Sequence, residues 1–484
     1  MVTDQKPYNK INFIKDKLAI EIIILLISDM FLLSVSYEIS VQTRRLLIPI
    51  IGGVMIPNLS NSLLGMLLIS NFILITIKGN YPGRGTVAVI ELRNLVEAIS
   101  TAYFLIGGVI FLTTPVSNYS RSIFLLSWLL SCIFVPIGRF FIRKIVSLQK
   151  WWGEPVAIIG TNKEIVHLYQ DVKKCRRLGF RPIVGLYLPT DEKQPKFSKL
   201  PFYPISLDIL NHLHVLGIKT ILVTLPPKEF RQENPGIFRA IEQNFIRSIF
   251  IMDDLSFGFL WGKPVDIEGR PAFQMQHNLL NPVTNWVKRL LDFCLTVLLF
   301  LPIMSLIVLI SILLWIDSPG NIFYTQERFG LDKKVFRIIK FRTMVPDADE
   351  ILPELLQQNP NLKKQYEKYH KLENDPRITS VGKWLRRFSL DELPQIYNIL
   401  KGEMSFIGPR AYMREETYKI GVDGDLIFHV RPALTGWWQV MGRNDTSFNQ
   451  RVRMDIYYIN NWSLWMDLFI FIKTFWVMIT GKGI

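Results

Sequence analysis

Apolar positions along the chain gather into long runs separated by charged stretches. Leu18 to Ile39 is a run of about twenty mostly apolar residues, enough at about 1.5 Å per residue to cross the hydrocarbon layer. The next stretch, Leu46 to Ile77, is broken by Pro49, Pro57, Asn58 and Asn61. Its second half, Leu59 to Ile77, is therefore expected to form span two, with the first half outside. Leu95 to Thr113 and Ser122 to Ile142 supply spans three and four, the last carrying Pro136 and Arg139. Four spans return both ends to one side. From Val156 to Asp254 the pattern changes to short β-branched runs alternating with helical stretches, and PVAIIG, RPIVGLYL, KTILVTLP and RSIFIMDD read as strands of a Rossmann-like α/β domain.

A linker with Pro264, Gly269, Pro271 and Pro282 leads to another apolar run, Leu290 to Ile316. Basic residues flank both its ends: Lys288 and Arg289 before it, then Lys333, Lys334, Arg337, Lys340 and Arg342. Pro302 stands near the middle, where it removes a helical hydrogen bond, so the run is expected to dip into one leaflet and return rather than to cross. The last run, Trp462 to Thr480, carries Asp467 and Lys473 and reads equally as a helix lying at the membrane interface or as a core helix. Tyr457, Tyr458 and Trp462 read equally as packing residues.

The expected architecture is a membrane protein in three parts. Residues 1–150 form a bundle of about four transmembrane helices, and 151–265 a Rossmann-like α/β middle domain, regulatory or structural. After a linker at 266–285, residues 286–484 form a mostly α C-terminal domain with a re-entrant helix at 286–316. A hydrophobic fraction of 49% agrees with this. The net charge of +15 suits an anionic lipid surface or nucleic acid, and the apolar runs, with no nucleic-acid motif present, favour lipid.

Basic residues set the orientation. Lys10, Lys15 and Lys17 precede span one, Lys78, Arg84 and Arg93 lie between spans two and three, and Arg143, Lys144 and Lys150 follow span four. The opposite loops hold Arg44, Arg45 and Arg121, so the chain after about residue 150 begins in the cytoplasm. The polar start, with no small-residue cleavage site before the first run's end, reads as an anchor rather than a signal peptide. Asp29 and Glu97 are acids within or beside spans and hence functional suspects, but no paired intramembrane base is visible. The first strand of the middle domain ends at Gly160, where Thr161, Asn162, Lys163 and Glu164 replace the glycines of a dinucleotide-binding turn; packing, dimerisation or regulation is the better reading. Cys132, Cys175 and Cys294 are isolated, and His167, His212, His214, His277, His370 and His429 show no ligand spacing, so neither zinc nor disulfides are expected.

The chemistry concentrates between residues 317 and 453, in three strings: YTQERFG with IIKFRTM (324–344), DPRITSVGKWLRRFSLDELPQIYNILKGEMSFIGPR (375–410) and RPALTGWWQVMGRN (431–444). Asp391 and Glu392 are adjacent, and Pro394 cannot donate a helical hydrogen bond. A helix therefore starts at about this point, with both acids at its N-terminal end, which favours phosphate. The competing reading is a capping box of Ser389 with Glu392, but it would put Pro394 where an N–H is required. A carboxylate can attack a phosphoryl group and form a covalent intermediate. Two like charges about 4 Å apart cost roughly 4 kcal/mol at an effective dielectric of 20, so compensating cations or Mg²⁺ are needed. Lys340, Arg342, Arg386, Arg387, Arg410, Arg431 and Arg443 are the candidates, Arg386 and Arg410 first; others of them face water or headgroups.

These three strings, with the proline-broken run before them, closely resemble the bacterial sugar transferases called monotopic phosphoglycosyl transferases. The added spans and middle domain resemble the large form of that family. The resemblance implies transfer of a hexose-1-phosphate from a UDP-sugar, galactose first and glucose next, to undecaprenyl phosphate at the cytoplasmic face of the bacterial inner membrane. The product would begin a lipid-linked polysaccharide such as O-antigen, capsule or exopolysaccharide. Asp391 would attack the sugar-bearing phosphate and expel UMP, and Glu392 would hold Mg²⁺ with Asp391 or tune it. Arg386, Arg410, Lys340 and Arg342 would bind phosphate, Arg328, Arg431 and Arg443 would serve substrate or turn, and Pro302 would form the re-entrant break. A homodimer is expected. Ala411 departs from the family's second proline after GPR, which leaves that turn's shape open. The alternatives are a catalytically silent regulatory or scaffold membrane protein, against which the intact acid pair counts, and a transporter acting through the first four spans.

Overall fold

The computed structural model describes residues 16–51, 61–113, 120–188, 200–251, 260–267, 270–274, 278–346, 348–358, 375–442 and 446–479. The chain divides into two compact units, Met1–Asp253 and Asp254–Ile484.

The first unit begins with helices α1 (Leu18–Ile51), α2 (Asn61–Ile77), α3 (Ala88–Thr113) and α4 (Arg121–Val146). Helix α1 runs twelve residues past the expected end at Ile39, so 46–51, expected outside, continue the helix. The serine and threonine of this extension do not break it, because Ser40 and Thr43 bond back to carbonyls four residues earlier, each at 2.7 Å. Among the described residues α1, α3 and α4, with a fourth helix from the second unit, are long and apolar enough to cross a bilayer, whereas α2 has 17 residues. Leu33, Leu67, Ile99 and Val135 pack between these helices, while Phe31, Phe104, Phe111 and Leu125 face outward.

Asp29 has the partner that the sequence did not reveal. It receives Arg139 of α4 at 2.5 Å and the Tyr81 hydroxyl at 2.7 Å, and both charged side chains are wholly buried. Glu97 is likewise paired, with Lys78 and Arg93 at 2.6 Å each. With its acids neutralised from within, the bundle offers a permeating ion no free charge at these positions.

The start of α1, the α2–α3 turn and the end of α4 are sewn to the α/β part of the same unit. Arg84 reaches Asp16 at 2.7 Å and Glu21 at 2.9 Å, and Glu21 accepts the backbone N–H of Gly153 at 2.7 Å. Glu91 on α3 receives Arg143 at 2.8 Å and also Arg177. These three segments therefore share a side of the helix bundle.

A five-stranded parallel sheet follows, formed by β1 (Glu154–Gly160), β2 (Phe180–Tyr187), β3 (Phe202–Pro204), β4 (Thr220–Val223) and β5 (Arg247–Phe250) in the order β3-β2-β1-β4-β5. Helices α5 (Asn162–Lys174), α6 (Leu207–Val215), α7 (Pro227–Glu233) and α8 (Pro235–Asn244) make the crossovers. Four strands coincide with the β-branched runs; β3 is an edge strand of three residues. At the β1–α5 turn, Thr161 and Glu164 form a capping box, and Glu164 also accepts the Thr224 hydroxyl at 2.8 Å. A carboxylate thus occupies the helix end where a dinucleotide-binding fold holds pyrophosphate.

The second unit opens with the hairpin β6 (Lys263–Ile267) and β7 (Arg270–Gln274), then α9 (Pro282–Asp317), the fourth long apolar helix. Hairpin β8 (Phe323–Phe329) with β9 (Val335–Phe341) leads to α10 (Ala348–Gln358), α11 (Ser380–Arg387), a 3-10 turn (Leu390–Gln395) and α12 (Ile396–Lys401). Short strands β10 (Ser405–Ile407) and β11 (Ala433–Thr435) pair in parallel, and helices α13 (Thr417–Ile420), α14 (Trp437–Met441), α15 (Phe448–Asn460) and α16 (Leu464–Ile479) complete the unit.

Helix α9 contains Pro302, and its buried positions are carried by one face at each of its two ends. Lys288, Asp292 and Thr296 lie inside at one end and Ile307, Ile310 and Leu314 at the other, whereas Leu298 and Leu301 between them are 74% and 76% exposed. Both ends are bonded to the rest of this unit: Lys288 to Asp467 at 2.6 Å and Asp292 to Ser405 at 2.6 Å, with Asp317 accepting the Val381 N–H at 3.2 Å. Helix α16 is buried on one face, as a core helix is, and exposed on the other. Met466, Phe469 and Ile470 are buried, and Leu468, Phe475, Trp476 and Ile479 are exposed. Asp467 is accounted for by Lys288, Tyr458 and Trp462, all of which bond to it.

Candidate active site

Asp391 and Glu392 lie in the first turn of the 3-10 segment between α11 and α12. Ser389, ahead of it, adopts the left-handed conformation at φ 56° and makes no side-chain cap, so the capping-box reading does not hold. Pro394 sits within this tight segment and is buried.

The two acids are treated unequally. Lys340, projecting from β9, meets Glu392 Oε1 at 2.6 Å, and Arg410 approaches the same oxygen at 3.6 Å. Burial by itself would raise Glu392, but Lys340, Arg410 and Arg328 together hold it well below the usual carboxylate range. Asp391 makes no ion pair with any described cation. Burial and then the neighbouring Glu392 charge push it up to about 6, against the opposing pull of Lys340 and Arg386. One acid is thus held ionised by a touching lysine, while the other has no ion pair among the described residues and is pushed up to about 6.

The other residues singled out from the sequence divide into two groups. Arg386 faces Asp391 electrostatically and is aimed by a bond from its Nε to the Thr343 hydroxyl at 2.8 Å. Arg328 is buried behind Arg410, donates to Gln326 at 2.7 Å and to the Ala411 carbonyl at 3.4 Å, and is pushed down to about 10 by burial and by Arg410. Two expected positions, Arg342 and Arg431, fall elsewhere. Arg342 points back to Ser318, where its guanidinium lies over Gly320, a residue with φ 125° whose missing Cβ leaves the room. Arg431 donates to the Gly402 carbonyl at 3.0 Å, beyond α12 from the acid pair. Arg443 lies outside the described residues, as do His277 and His370. Arg387 is exposed on the far side of α11 from its neighbour Leu385, which is fully buried.

The turn bearing Arg410 is set from three sides. The Phe329 N–H of β8 donates to Tyr412 at 3.1 Å, the Ala433 N–H of β11 to Pro409 at 2.7 Å, and the Tyr412 hydroxyl to Asp455 of α15 at 2.8 Å. These contacts define the turn with Ala411 in place of proline. Asp455, fully buried, was not singled out from the sequence, nor were Trp438 and Arg451. Arg410 and Arg451 lie 5.8 and 4.9 Å from the Trp438 ring centre. A lone acid inside an amphipathic helix carries no signal of this role.

The model for the bacterial sugar transferase family matches residues 283–481, which include the acid pair and every cation around it. A UDP-galactose-lipid carrier transferase of Erwinia amylovora is 31% identical over 75% of this chain and 76% of its own length. The chain belongs to the bacterial sugar transferase family. Other members similar to it include an undecaprenyl-phosphate galactose phosphotransferase of Salmonella typhimurium, 29% identical over 76% of each chain. A UDP-glucose:undecaprenyl-phosphate glucose-1-phosphate transferase of Escherichia coli is 34% identical over 46% of each. In this sugar transferase a second model, described as a CoA-binding domain, matches residues 77–244, spanning α3, α4 and most of the parallel sheet.

Among the described residues no group of three or more Asp, Glu, His or Cys side chains converges as a metal cage. The sugar transferase instead presents two adjacent carboxylates, one of them without an ion pair among the described residues. That donor set suits a cation such as Mg²⁺, which takes one or two carboxylates and completes its shell from substrate phosphates and water.

Proposed function

We propose that this transferase moves a hexose-1-phosphate from a UDP-sugar to undecaprenyl phosphate and releases UMP, with galactose the first choice of sugar and glucose the next. The observation that carries the reading is the unequal acid pair: Glu392 is clamped by Lys340 at 2.6 Å, while Asp391 has no ion pair among the described residues and is partly desolvated. A desolvated carboxylate is a stronger nucleophile than a hydrated one, and near pH 7 a group titrating at about 6 is mostly ionised.

Asp391 attacks the sugar-bearing phosphorus, forming an acyl phosphate (a mixed anhydride) that carries the sugar as the bond from that phosphorus to the UMP oxygen breaks. The UMP leaves with the electron pair. An oxygen of undecaprenyl phosphate then attacks the same phosphorus, giving a diphosphate-linked lipid sugar and returning the free carboxylate. Arg386 and Arg410, with Lys340, offset the charge that gathers when an anionic donor approaches two acids. Asp391 and Glu392 would hold Mg²⁺ together with donor phosphate oxygens, and the ion would supply further neutralisation of the diphosphate.

The reaction is assigned to the cytoplasmic face of the inner membrane, where it begins a lipid-linked polysaccharide. The basic flanks support this, as does the shared side of the α1 start, the α2–α3 turn and the α4 end. Helix α9 is read as re-entrant because both its ends are bonded to one catalytic fold while the apolar middle, with Pro302, is exposed. A homodimer completes the proposal, to be tested by the mass of the detergent-solubilised particle.

Membranes containing the full chain, given UDP-galactose or UDP-glucose and polyprenyl phosphate, should release UMP. Acid quenching before acceptor is added should trap phosphosugar on the protein. Asp391→Asn should abolish both signals, and undiminished turnover by that variant would remove the nucleophile assignment.

A further inference from the structure

Arg431 was expected near the acid pair, yet the fold sends it to another basic residue. Its Nε donates to the Gly402 carbonyl at 3.0 Å. Arg289, near the start of α9, donates to the carbonyls of Ile399 and Leu400 at 2.7 and 3.1 Å, and a Cβ on Gly402 would lie 3.0 Å from its Nη2. The two guanidinium groups therefore meet over the C-terminal end of α12. Each is half-buried, each feels the other's charge or lies in the same cleft, and neither has a carboxylate within 4 Å among the described residues.

The cleft they line also contains Lys288, Asn285, Asp292 and Ser405. Its acid, Asp292, accepts from the Ser405 hydroxyl at 2.6 Å and from the Phe406 N–H at 3.2 Å, and its charge also acts on Arg431. Lys288 is neutralised by Asp467 at 2.6 Å. The C-terminal carbonyls of α12 favour the two arginines but carry only a fraction of a charge. Set against the single charge of Asp292, the two arginines leave the cleft an excess positive charge, with guanidinium donors left over for an anion.

The surroundings identify which anion. On the same turns of α9, Trp286 is 67% exposed, Leu290 and Leu291 are 45% exposed each, and Phe293 is 51% exposed. An exposed indole followed by an apolar helix is the pattern of a chain entering a bilayer at headgroup depth. Planar guanidinium forks are suited to bidentate contact with phosphate.

We infer that Arg289 and Arg431 form a binding site for the phosphate of a membrane lipid, separate from the acid pair and placed where the apolar tail can follow α9. The inference rests on the assigned membrane entry of α9, and it extends the proposed reaction by giving its lipid partner a docking point. The same phosphate chemistry is offered by polyprenyl phosphate and by a phospholipid headgroup.

The test uses the full chain in detergent, with Arg289→Gln and Arg431→Gln singly and together, and native mass spectrometry to measure retention of polyprenyl phosphate and of phosphatidylglycerol. The double variant should lose tenfold or more in retention of at least one of these lipids. Loss for polyprenyl phosphate places the acceptor there, and loss for phosphatidylglycerol alone identifies a headgroup site. Arg289→Lys with Arg431→Lys should restore part of the loss, and isotope exchange between UMP and UDP-sugar, which needs no lipid acceptor, should be unchanged. Equal retention of both lipids by wild type and double variant overturns the inference, as does an exchange defect with lipid retention intact. If the wild type releases no UMP from any UDP-sugar, the proposed reaction fails, while lipid retention still decides this site.

Discussion

Replacing Lys340 by methionine removes one positive charge from the acid pair while keeping most of the side-chain volume. Lys340 and Glu392 touch at 2.6 Å with side chains 16% and 17% exposed. With charge centres about 3.5 Å apart, an effective dielectric of 20 gives an attraction of roughly 5 kcal/mol, or on the order of three pKa units. Residual hydration and Arg410, which stays 3.6 Å from Glu392, absorb much of this, and a shift of about one to two units is expected. Lys340 lowers both acids, so its loss raises both, and Asp391 moves up from about 6. In the wild type the acid limb of kcat/KM for UMP release should fall near pH 6; in Lys340→Met it should fall near pH 7 to 8. At pH 7 the ionisation change should slow the variant about two- to tenfold, with most of that loss recovered at pH 8.5, and Lys340→Arg should keep the wild-type limb. Loss of a phosphate contact alone would lower the rate evenly at every pH. An unmoved acid limb in Lys340→Met would therefore refute the claim that this lysine sets the ionisation of the pair.

Asp455 makes a prediction of opposite kind. Burial holds it at about 8, above its value in the unfolded chain, so the stability it permits is fully present below about pH 4 and is lost as pH rises through 8. Asp455→Asn keeps an acceptor for Tyr412 and should raise the thermal midpoint over wild type by an amount that grows from pH 5 to pH 8.5; a pH-independent difference would count against it. Asp29→Asn deprives Arg139 of its carboxylate at 2.5 Å and should destabilise the first unit by about 3 kcal/mol in denaturant titration, whereas the pair Asp29→Leu with Arg139→Met should recover most of that. Pro302→Leu restores a helical hydrogen bond to the middle of α9. It should lower UMP release by at least tenfold and move a cysteine placed at Ser318 toward the outer face in labelling assays; unchanged labelling with full activity would remove the re-entrant reading.

Features that depend on neighbours along the chain are legible in the amino-acid order itself. Apolar runs longer than a bilayer is thick announce helices, alternation of β-branched and helical stretches announces the parallel sheet, and Pro394 forces a helical start beside Asp391 and Glu392 because it has no N–H to give. The adjacency of those acids is itself a local fact. Which one is clamped is not: Lys340 lies 52 positions from Glu392, and Arg139 lies 110 from Asp29. Periodicity carries no information about such pairs, since nothing local distinguishes a lysine aimed at an acid from one aimed at water. Arg342 and Arg431 show the same limit from the other direction, being in the right strings yet turned to Ser318 and Gly402 by the strand and loop that carry them. Sequence alone determined where charge and apolar surface are available, because composition and short-range sterics fix those. Only the tertiary structure decided which charges meet, because burial removes water and makes each distant pairing either satisfied or prohibitive.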